Sequence, residues 1–273
     1  MRFGGIRLGV VGVGLGAAAA AWAIFVEPSL LWLREESVAV AGWPGAPLRV
    51  ALVSDLHAGA PFSDLAKMRR VAALVAAQDP DLVLLLGDYG ITEVPGGTPI
   101  PVAEWAPGFG AIPAPLGVFG VLGNHDWWDD AASIRAGLEA AGVGVLENAA
   151  VPLGSGEDTF WLVGVGDAFT EHDRVATALE AVPQGAKVLA MSHGPTVIDE
   201  LGRRASLVVA GHTHGGQVYL PLFTEALLKM RWRRGLYEEG GVPLYITSGV
   251  GSSVLPIRFG VPPEVVLLTV RPG

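Results

Sequence analysis

Five short apolar runs along the chain each stop at a cluster of polar residues. Their length and their content of Val and Leu are typical of buried strands. The runs are Leu48–Val53, Leu82–Leu86, Val118–Leu122, Lys187–Met191 and Leu207–Ala210. The polar motifs that follow them are Asp55-Leu56-His57, Gly87-Asp88, Gly123-Asn124-His125-Asp126, Ser192-His193 and Gly211-His212-Thr213-His214.

Helical patterns lie between these runs, so the chain alternates between two kinds of element. The predicted helices are Ser63–Gln78, Asp129–Ala141 and Asp173–Ala181. Asp129, Asp130 or Ser133 is available to cap the second of them. Buried parallel strands form open α/β sheets, in which the ligand site lies beyond the carboxyl ends of the strands. We therefore expect the five motifs to meet in one crevice.

The side chains in the motifs indicate metal binding. Five of the six histidines lie in them, and only His172, which we expect to be an ordinary solvated histidine, lies outside. Imidazole and carboxylate suit zinc, manganese, iron or nickel, and the chain has no cysteine for a thiolate site. A structural zinc site needs four ligands. The chain offers seven candidates, which are Asp55, His57, Asp88, Asn124, His193, His212 and His214.

Seven ligands are enough for two divalent ions that share one carboxylate. Two ions roughly 3.5–4 Å apart can bind a bridging hydroxide and phosphoryl oxygens, which favours phosphoester hydrolysis. A short motif such as Ser192-His193 alone is more often a turn or a hydrogen-bonded histidine. The prediction depends on the two longest motifs, Gly123–Asp126 and Gly211–His214. In each, consecutive polar residues follow a glycine although no helix cap or hairpin turn requires them.

The ordered motifs resemble those of the calcineurin-like metallophosphoesterase family over Leu48 to His214. The tail from Ser248 to Ser253, with Pro256–Phe259 and Pro262–Glu264, resembles a bacterial membrane-associated branch of that family. This branch includes hydrolases of nucleotide-linked lipid A precursors. The resemblance implies an α/β fold of the four-layer α/β/β/α sandwich type.

The resemblance also implies a role for each motif residue. One metal ion would be bound by Asp55, His57, Asp88 and His214. The other would be bound by Asp88, Asn124, His193 and His212, so Asp88 would bridge the two. A metal-bridging hydroxide would attack phosphorus. His125 would give a proton to the leaving-group oxygen, and Asp126 would orient the ring of His125.

Three positions depart from the pattern of the family. Ile91 stands where an acidic residue often follows the second motif, Thr196 where the branch often has aspartate, and Ser248 where arginine is common. Support of the bridging aspartate and contacts to substrate are therefore expected to differ. The Asp-Arg-Gly run of the family's protein phosphatases is missing, which disfavours a phosphoprotein substrate.

The N-terminal residues predict a membrane anchor or a signal segment. Leu8–Val26 is an uncharged stretch of 19 residues, about the length that spans a bilayer core, and only Arg2 and Arg7 precede it. These charges predict a single-pass anchor with the catalytic domain outside the cytoplasmic membrane. A signal cleaved near Ala19–Ala21 is the alternative and would give a secreted protein. We expect residues 1–35 to form this segment and residues 36–273 the phosphoesterase domain.

Two further segments bear on substrate binding. The Pro- and Gly-rich stretch Val94–Pro115 predicts a loop with a short helix at Pro101–Ala106, either a wall of the crevice or surface elaboration. Lys229–Arg234 places four cations around one indole in an otherwise acidic chain. It is either a solvated helix face or a lip that binds an anionic lipid headgroup. The residues of this lip are Arg231, Trp232, Arg233 and Arg234.

The sequence thus predicts a membrane-anchored, two-metal hydrolase of phosphoester or pyrophosphate bonds. Its partners would be the membrane and a lipid-linked pyrophosphate, a simple phosphodiester or a nucleotide. The alternative is a catalytically silent sensor or binding domain, although every candidate ligand and His125 are present. A serine hydrolase is excluded because neither Ser54 nor Ser192 stands in a Gly-x-Ser-x-Gly motif. The net charge of −9 argues against a nucleic-acid partner.

Overall fold

Two mixed β-sheets lie at the centre of the fold. The structure is a computed structural model that describes residues 13–221, 224 and 229–273. Within those residues, twelve strands form two six-stranded sheets. The strands are β1 (Trp32–Val40), β2 (Leu48–Val53), β3 (Leu82–Leu85), β4 (Val118–Gly120), β5 (Gly144–Val145), β6 (Ala149–Leu153), β7 (Phe160–Gly164), β8 (Val188–Met191), β9 (Leu207–Ala210), β10 (Gly235–Glu239), β11 (Val242–Ile246) and β12 (Glu264–Pro272).

The strand order brings the predicted motifs together. The first sheet has the order β1-β12-β2-β3-β4-β5, and the second has the order β10-β11-β9-β8-β7-β6. β2, β3 and β4 are parallel neighbours, and so are β7, β8 and β9, so the motif strands of each sheet end at one edge. Asn124 after β4 contacts His212 after β9, which shows that the two edges lie side by side.

Helices cover the outer face of each sheet. They are α1 (Leu65–Ala76), α2 (Val102–Gly110), α3 (Asn124–Trp128), α4 (Ala131–Ala140), α5 (Val175–Ala178) and α6 (Ile198–Leu201). Short 3-10 turns lie at Glu27–Ser29, Gly156–Asp158, Pro195–Val197, Gly202–Arg204 and His214–Gly216. Asp130 caps α4 by accepting the N–H of Ser133 at 3.0 Å, which is one of the caps predicted.

Alternating residues of the strands define the layers. Ala51 and Val53 of β2 pack toward α1, α2 and α4, whereas Leu52 packs between the two sheets. In β8, Leu189 faces the first sheet and Ala190 faces α5 and α6. Three apolar cores therefore separate four layers in the order helix, sheet, sheet and helix, as the resemblance implied.

Two predicted helices differ from the observed ones. The helix in the Pro- and Gly-rich stretch runs from Val102 to Gly110 rather than from Pro101 to Ala106, because Trp105 and Phe109 pack into the core beside the first sheet. The helix predicted at Asp173–Ala181 is shortened to α5. Asn148 accepts the N–H of Arg174 at 2.8 Å, which holds the preceding residues in a turn.

The predicted N-terminal span is only partly within the described residues. Residues 13–21 are helical, and residues 8–12 lie outside the part of the chain that the structure describes. Across residues 13–221, 224 and 229–273, no helix is long and apolar enough to cross a membrane. β1 begins at Trp32, so the boundary expected at residue 36 falls inside a strand of the first sheet.

The end of this N-terminal segment is attached to the C-terminal tail. The carboxylate of Glu27 is buried and accepts the N–H of Gly260 at 3.0 Å and that of Val261 at 2.6 Å. The backbone N–H of Arg258 donates to the carbonyl of Ala23 at 3.0 Å. These contacts join residues 23–27 to the loop before β12, which also borders the site described next.

Candidate metal centre

The seven predicted ligands lie in two adjacent groups. Ligand atoms of the first group, Asp55, His57, Asp88 and His214, all lie within 4.8 Å of one another. The second group consists of Asp88, His193 and His212, again within 4.8 Å. Asn124 adjoins the second group, with Oδ1 at 2.9 Å from Nδ1 of His212. Asp88 alone belongs to both groups.

In both groups, the nitrogen and oxygen atoms that could bind a metal ion face one another at short distances. Nε2 of His57 lies 3.2 Å from Nε2 of His214 and 3.7 Å from Oδ2 of Asp88. Oδ1 of Asp55 lies 3.2 Å from Nε2 of His214. In the second group, Nε2 of His193 lies 3.2 Å from Oδ2 of Asp88. One carboxylate oxygen of Asp88 therefore lies between the two groups.

Backbone carbonyls orient two of the imidazole rings. Nδ1 of His57 lies 3.1 Å from the carbonyl of Gly90, and Nδ1 of His193 lies 2.7 Å from that of Leu86. A carbonyl can only accept, so each Nδ1 must carry the proton that it donates. In a neutral ring this leaves the lone pair of Nε2 directed into the ligand group, as a metal-binding histidine requires.

The residues fit a divalent cation. Oδ1 of Asp55 is buried and has no hydrogen-bond partner, and a buried carboxylate oxygen in that state is costly unless a cation neutralises it. Nε2 atoms of His57 and His214 face each other at 3.2 Å, where a shared cation would satisfy both. Imidazole, carboxylate and amide oxygen are also the donors that manganese, iron, zinc and nickel accept.

The backbone at the ligands is strained. Positive φ angles occur at Asp55 (53°), His57 (41°), Asp88 (56°), His212 (68°) and His214 (49°). Such angles cost a residue other than glycine on the order of 1–3 kcal/mol and cluster at functional sites. The strain is maintained by close packing of the motif loops. A Cβ atom on Gly211 would lie 1.9 Å from Oγ of Ser54, so only glycine fits there.

Three of the histidines are neutral at neutral pH. Burial lowers the pKa of His57, and it lowers that of His212 to about 4 with help from the charge of His193. Burial, with the charges of His57 and Arg258, holds the pKa of His214 well below its usual value. Neutral imidazole is the form that binds a metal ion.

His193 and Asp88 form a charged pair when no metal is bound. Burial alone would lower the pKa of His193, but the carboxylate of Asp88 raises it to about 10. Burial likewise opposes ionisation of Asp88, yet the charge of and hydrogen bond from His193 hold its pKa well below the usual range. At neutral pH, His193 therefore carries a second ring proton, which a metal ion bound by Nε2 would displace.

His125 lies beside both groups but is held by hydroxyl groups. Nδ1 lies 2.5 Å from Oγ1 of Thr92, and Nε2 lies 3.1 Å from Oγ of Ser253. Its backbone N–H donates to Oδ1 of Asp88 at 2.9 Å. Sequence reasoning did not identify Thr92, because no recognisable motif surrounds it. Ser253 lies in the tail motif, but its contact with His125 was not predicted.

Asp126 does not orient the ring of His125, contrary to expectation. Its carboxylate instead accepts the backbone N–H groups of Asp88 at 2.9 Å, and of Tyr89 and Gly123 at 2.8 Å each. It thereby supports the loop that carries Asp88, where Ile91 packs against Ala60 and Val94. Burial, followed by the charge of Asp88, raises the pKa of Asp126 to about 7.

Arg258 is a second residue whose role sequence reasoning missed. It is fully buried, and its guanidinium donates to the carbonyls of Ser248 at 2.8 Å and Val261 at 3.0 Å. The same guanidinium lies 3.3 Å from Nδ1 of His214. Ser248 is buried and accepts the hydrogen bond of Arg258 through its carbonyl, while Thr196, another of the three departures from the family pattern, is exposed.

The basic segment is held within the protein by several contacts. Arg231 forms ion pairs with Asp199 at 2.8 Å and with Glu239 at 3.0 Å. The indole of Trp232 is buried and donates to Glu239 at 2.6 Å, which places it in the core beside the second sheet and not at a membrane-facing surface. Arg233 packs on the ring of Tyr219 at 4.0 Å, and Arg234 lies 3.6 Å from Glu264.

The chain is similar in sequence to known proteins over most of its length. The model of the calcineurin-like phosphoesterase family matches residues 48–216. The chain is 31% identical over 258 residues to phosphodiesterase YaeI of Escherichia coli strain K12, covering 89% of this chain and 90% of that protein. An uncharacterized metallophosphoesterase of Aquifex aeolicus is 27% identical, with 83% of this chain and 86% of that protein covered.

Two further matches are longer than this chain. A Danio rerio protein named as a transmembrane protein with a metallophosphoesterase domain is 28% identical, covering 82% of this chain and 53% of that protein. A solved structure of a putative 5'-nucleotidase from Staphylococcus aureus has a TM-score of 0.50 and 12% identity, covering 84% of this chain and 55% of that one. Together with the ligand groups, the family model and the Escherichia coli relative establish that the chain is a metal-dependent phosphoesterase and belongs to the calcineurin-like phosphoesterase family.

Proposed function

We propose that the protein hydrolyses phosphodiester or pyrophosphate bonds with two divalent ions. One ion would be bound by Asp55, His57, Asp88 and His214, and the other by Asp88, Asn124, His193 and His212. The position of Asp88 carries the proposal, because Oδ2 lies 3.7 Å from Nε2 of His57 and 3.2 Å from Nε2 of His193. One carboxylate oxygen can thus serve both groups.

The chain's own side chains would divide the chemistry between them. Divalent ions in these groups would supply an activated water and neutralise charge on the phosphoryl oxygens. His125, buried beside Asp88, would give a proton to the leaving-group oxygen. Thr92 and Ser253 would hold its ring in position through the contacts to Nδ1 and Nε2.

The name of the Escherichia coli relative supports a phosphodiester substrate. A catalytically silent sensor on the same fold would not need a proton donor beside its ligands, so the position of His125 favours the enzyme. We also propose that the enzyme works at a membrane surface on a lipid-linked or other diester. Phe25 and Leu255 support this, because both are exposed and Arg258 joins their segments.

Metal analysis tests the two-ion scheme. The purified protein, stripped by a chelator and titrated with Mn²⁺, should take up two ions and regain hydrolysis of methyl p-nitrophenyl phosphate. Asp88→Asn should lose both ions, since it weakens both groups. Asp199→Asn, an exposed carboxylate outside the site, is the matched control and should keep both. Full activity with a single bound ion would refute the scheme.

A further inference from the structure

Two aromatic side chains stand exposed at the mouth of the metal centre. Trp128 at the end of α3 is 54% exposed, and Phe169 in the loop after β7 is 64% exposed. Their ring centroids lie 5.8 Å apart, with an angle of 73° between the ring planes. Trp128 also contacts His125, with centroids 5.0 Å apart, and Phe169 contacts His212 at 5.5 Å. The pair therefore spans from the proposed proton donor to a metal ligand.

A second aromatic contact fixes the two elements that carry this pair. Trp127 stacks on His172, with centroids 3.5 Å apart and planes within 6°. His172 is thus partly buried against α3 and is not the ordinary solvated histidine that the sequence suggested. Its backbone N–H donates to the carbonyl of Asp167, and the carboxylate of Asp167 accepts the N–H of Thr170, each at 2.8 Å. The turn that presents Phe169 is closed by these bonds.

The exposed rings are costly unless a ligand covers them. Burial of an aromatic side chain away from water stabilises a folded protein. Trp128 and Phe169 forgo that gain, although Trp127 beside them is partly buried. Aromatic rings that are held in place next to a polar centre are typical of ligand-binding surfaces. The exposed side chain of Val254 lines the same cleft as His125 and Trp128, which adds a third apolar side.

We infer that Trp128 and Phe169 bind a flat aromatic ring in the leaving group of the substrate. The inference rests on the proposed phosphodiesterase function and names the substrate class. Two rings inclined at 73° form a corner in which a flat ring can stack on one and meet the edge of the other. Trp128 lies beside His125, the proposed proton donor. A substrate ring that stacks on Trp128 would therefore belong to the leaving group, whose oxygen receives that proton.

A pair of matched diesters separates a flat ring from an aliphatic group. Benzyl methyl phosphate and cyclohexylmethyl methyl phosphate have the same charge and nearly the same size, and only the first carries a flat ring. Stacking of a base on an aromatic side chain contributes about 1–3 kcal/mol. The wild-type protein with Mn²⁺ should therefore prefer the benzyl ester in kcat/KM by roughly 5- to 150-fold.

Variants assign that preference to the two residues. Trp128→Leu and Phe169→Leu keep an apolar side chain but lose the ring, so each should reduce the preference for the benzyl ester several-fold. Trp128→Phe should restore part of it. Trp32→Leu is the matched control, because Trp32 is also 54% exposed but belongs to the edge strand β1 and to neither ligand group nor the aromatic pair. The 5'-methyl phosphate of thymidine, compared with its abasic counterpart, tests whether a nucleobase is accepted as the ring.

Binding without hydrolysis gives an independent measurement. Calorimetry with methyl(2-phenylethyl)phosphinate and methyl(2-cyclohexylethyl)phosphinate, in which P–C bonds replace both ester bonds, should show tighter binding of the phenyl compound, and this difference should shrink in the two Leu variants. Two results would overturn the inference and leave the phosphodiesterase function intact. One is an equal kcat/KM of the wild-type protein for both esters, and the other is an unchanged preference in the Leu variants. If the Mn²⁺-loaded protein hydrolyses no diester, including methyl p-nitrophenyl phosphate, the proposed function itself fails and the calorimetric ranking still decides the inference.

Discussion

Asp88 and Asp126 support each other's loops through the backbone. The carboxylate of Asp126 accepts the N–H of Asp88 at 2.9 Å, and the carboxylate of Asp88 accepts the N–H of His125, the residue before Asp126, at 2.9 Å. Asp126 lies in neither ligand group, yet it determines where the shared ligand of both groups lies. The position of the oxygen shared by the two groups therefore depends on a second buried carboxylate.

Asp126→Asn should weaken both the fold and metal binding. One side-chain oxygen would become an amide NH2 that faces backbone N–H groups, which need an acceptor. A buried donor left without a partner costs about 1–3 kcal/mol, so the free energy of unfolding should fall by that order. Uptake of both ions should weaken, because both groups contain Asp88. Thermal unfolding of the metal-free protein and Mn²⁺ titration measure the two effects.

The matched control for this change is Asp130→Asn. Asp130 caps α4 at the surface, and asparagine caps a helix about as well as aspartate. Its effect on unfolding should stay within a few tenths of a kcal/mol. Unaltered metal affinity in Asp126→Asn would contradict the supporting role.

His125→Ala should separate catalysis from metal binding. The contact of His125 with Asp88 is made by the backbone, so the variant keeps it and should still bind two ions. Loss of a general acid lowers turnover roughly 10²–10⁴-fold. The loss should be smaller for a p-nitrophenyl ester than for an alkyl ester, because nitrophenolate leaves without protonation. Equal losses on both esters, or loss of metal, would show that the role is assigned wrongly.

Thr92 and Ser253 extend this comparison. Thr92→Val and Ser253→Ala each remove one hydroxyl that contacts the ring of His125. Each should slow hydrolysis of alkyl esters less than His125→Ala does, since the ring remains present. The steady-state rates on the same pair of esters give this ranking, and a hydroxyl variant as slow as His125→Ala would contradict it.

The residues of the two candidate ligand groups could be singled out from the sequence because they follow buried strands, and the carboxyl ends of those strands meet. The side chains that contact these residues from distant segments of the chain could not be predicted. Thr92 and Ser253 lie 33 and 128 positions from His125, and only the folded chain brings them to its ring. The basic segment shows the same limit, because its charges are visible in the sequence but the pairing of Arg231 with Asp199 is not.

His193 should govern the pH dependence of metal binding. Its pKa is about 10 in the metal-free protein, against an ordinary value of 6.5, because of Asp88. This raised pKa stabilises the metal-free fold fully below pH 6.5, and the contribution is lost as the pH rises through about 10. A metal ion must displace that proton, so affinity should increase about tenfold per pH unit between those limits.

Calorimetry in two buffers of different ionisation enthalpy measures the proton released. His193 should release a proton at pH 8, because its pKa is about 10, whereas His212, with a pKa of about 4, is already neutral there. His193→Gln removes the titrating ring and should reduce the release by one proton, along with the loss of one of the two ions. Metal binding by the wild-type protein without proton release would contradict the charged pair.

The contacts of Glu27 predict that residues 22–30 belong to the catalytic domain. Deleting residues 1–21 leaves these contacts intact, whereas deleting residues 1–30 removes Glu27 and the carbonyl that binds the N–H of Arg258. Hydrogen bonds to a charged group contribute about 1.5–3 kcal/mol each. The longer deletion should therefore lower the free energy of unfolding by a few kcal/mol, and the shorter one should not. Thermal unfolding of the two proteins compares them.

The longer deletion should also disturb the two ligand groups unequally. Arg258 contacts His214 in the first group, so loosening its loop should weaken the ion bound there before the ion bound by His193 and His212. Glu27→Gln tests this without any truncation, and Glu35→Gln on the exposed side of β1 is its control. Mn²⁺ titration should show one weakened site in Glu27→Gln and two normal sites in Glu35→Gln. Equal weakening of both sites would mean that Glu27 serves only the general stability of the fold.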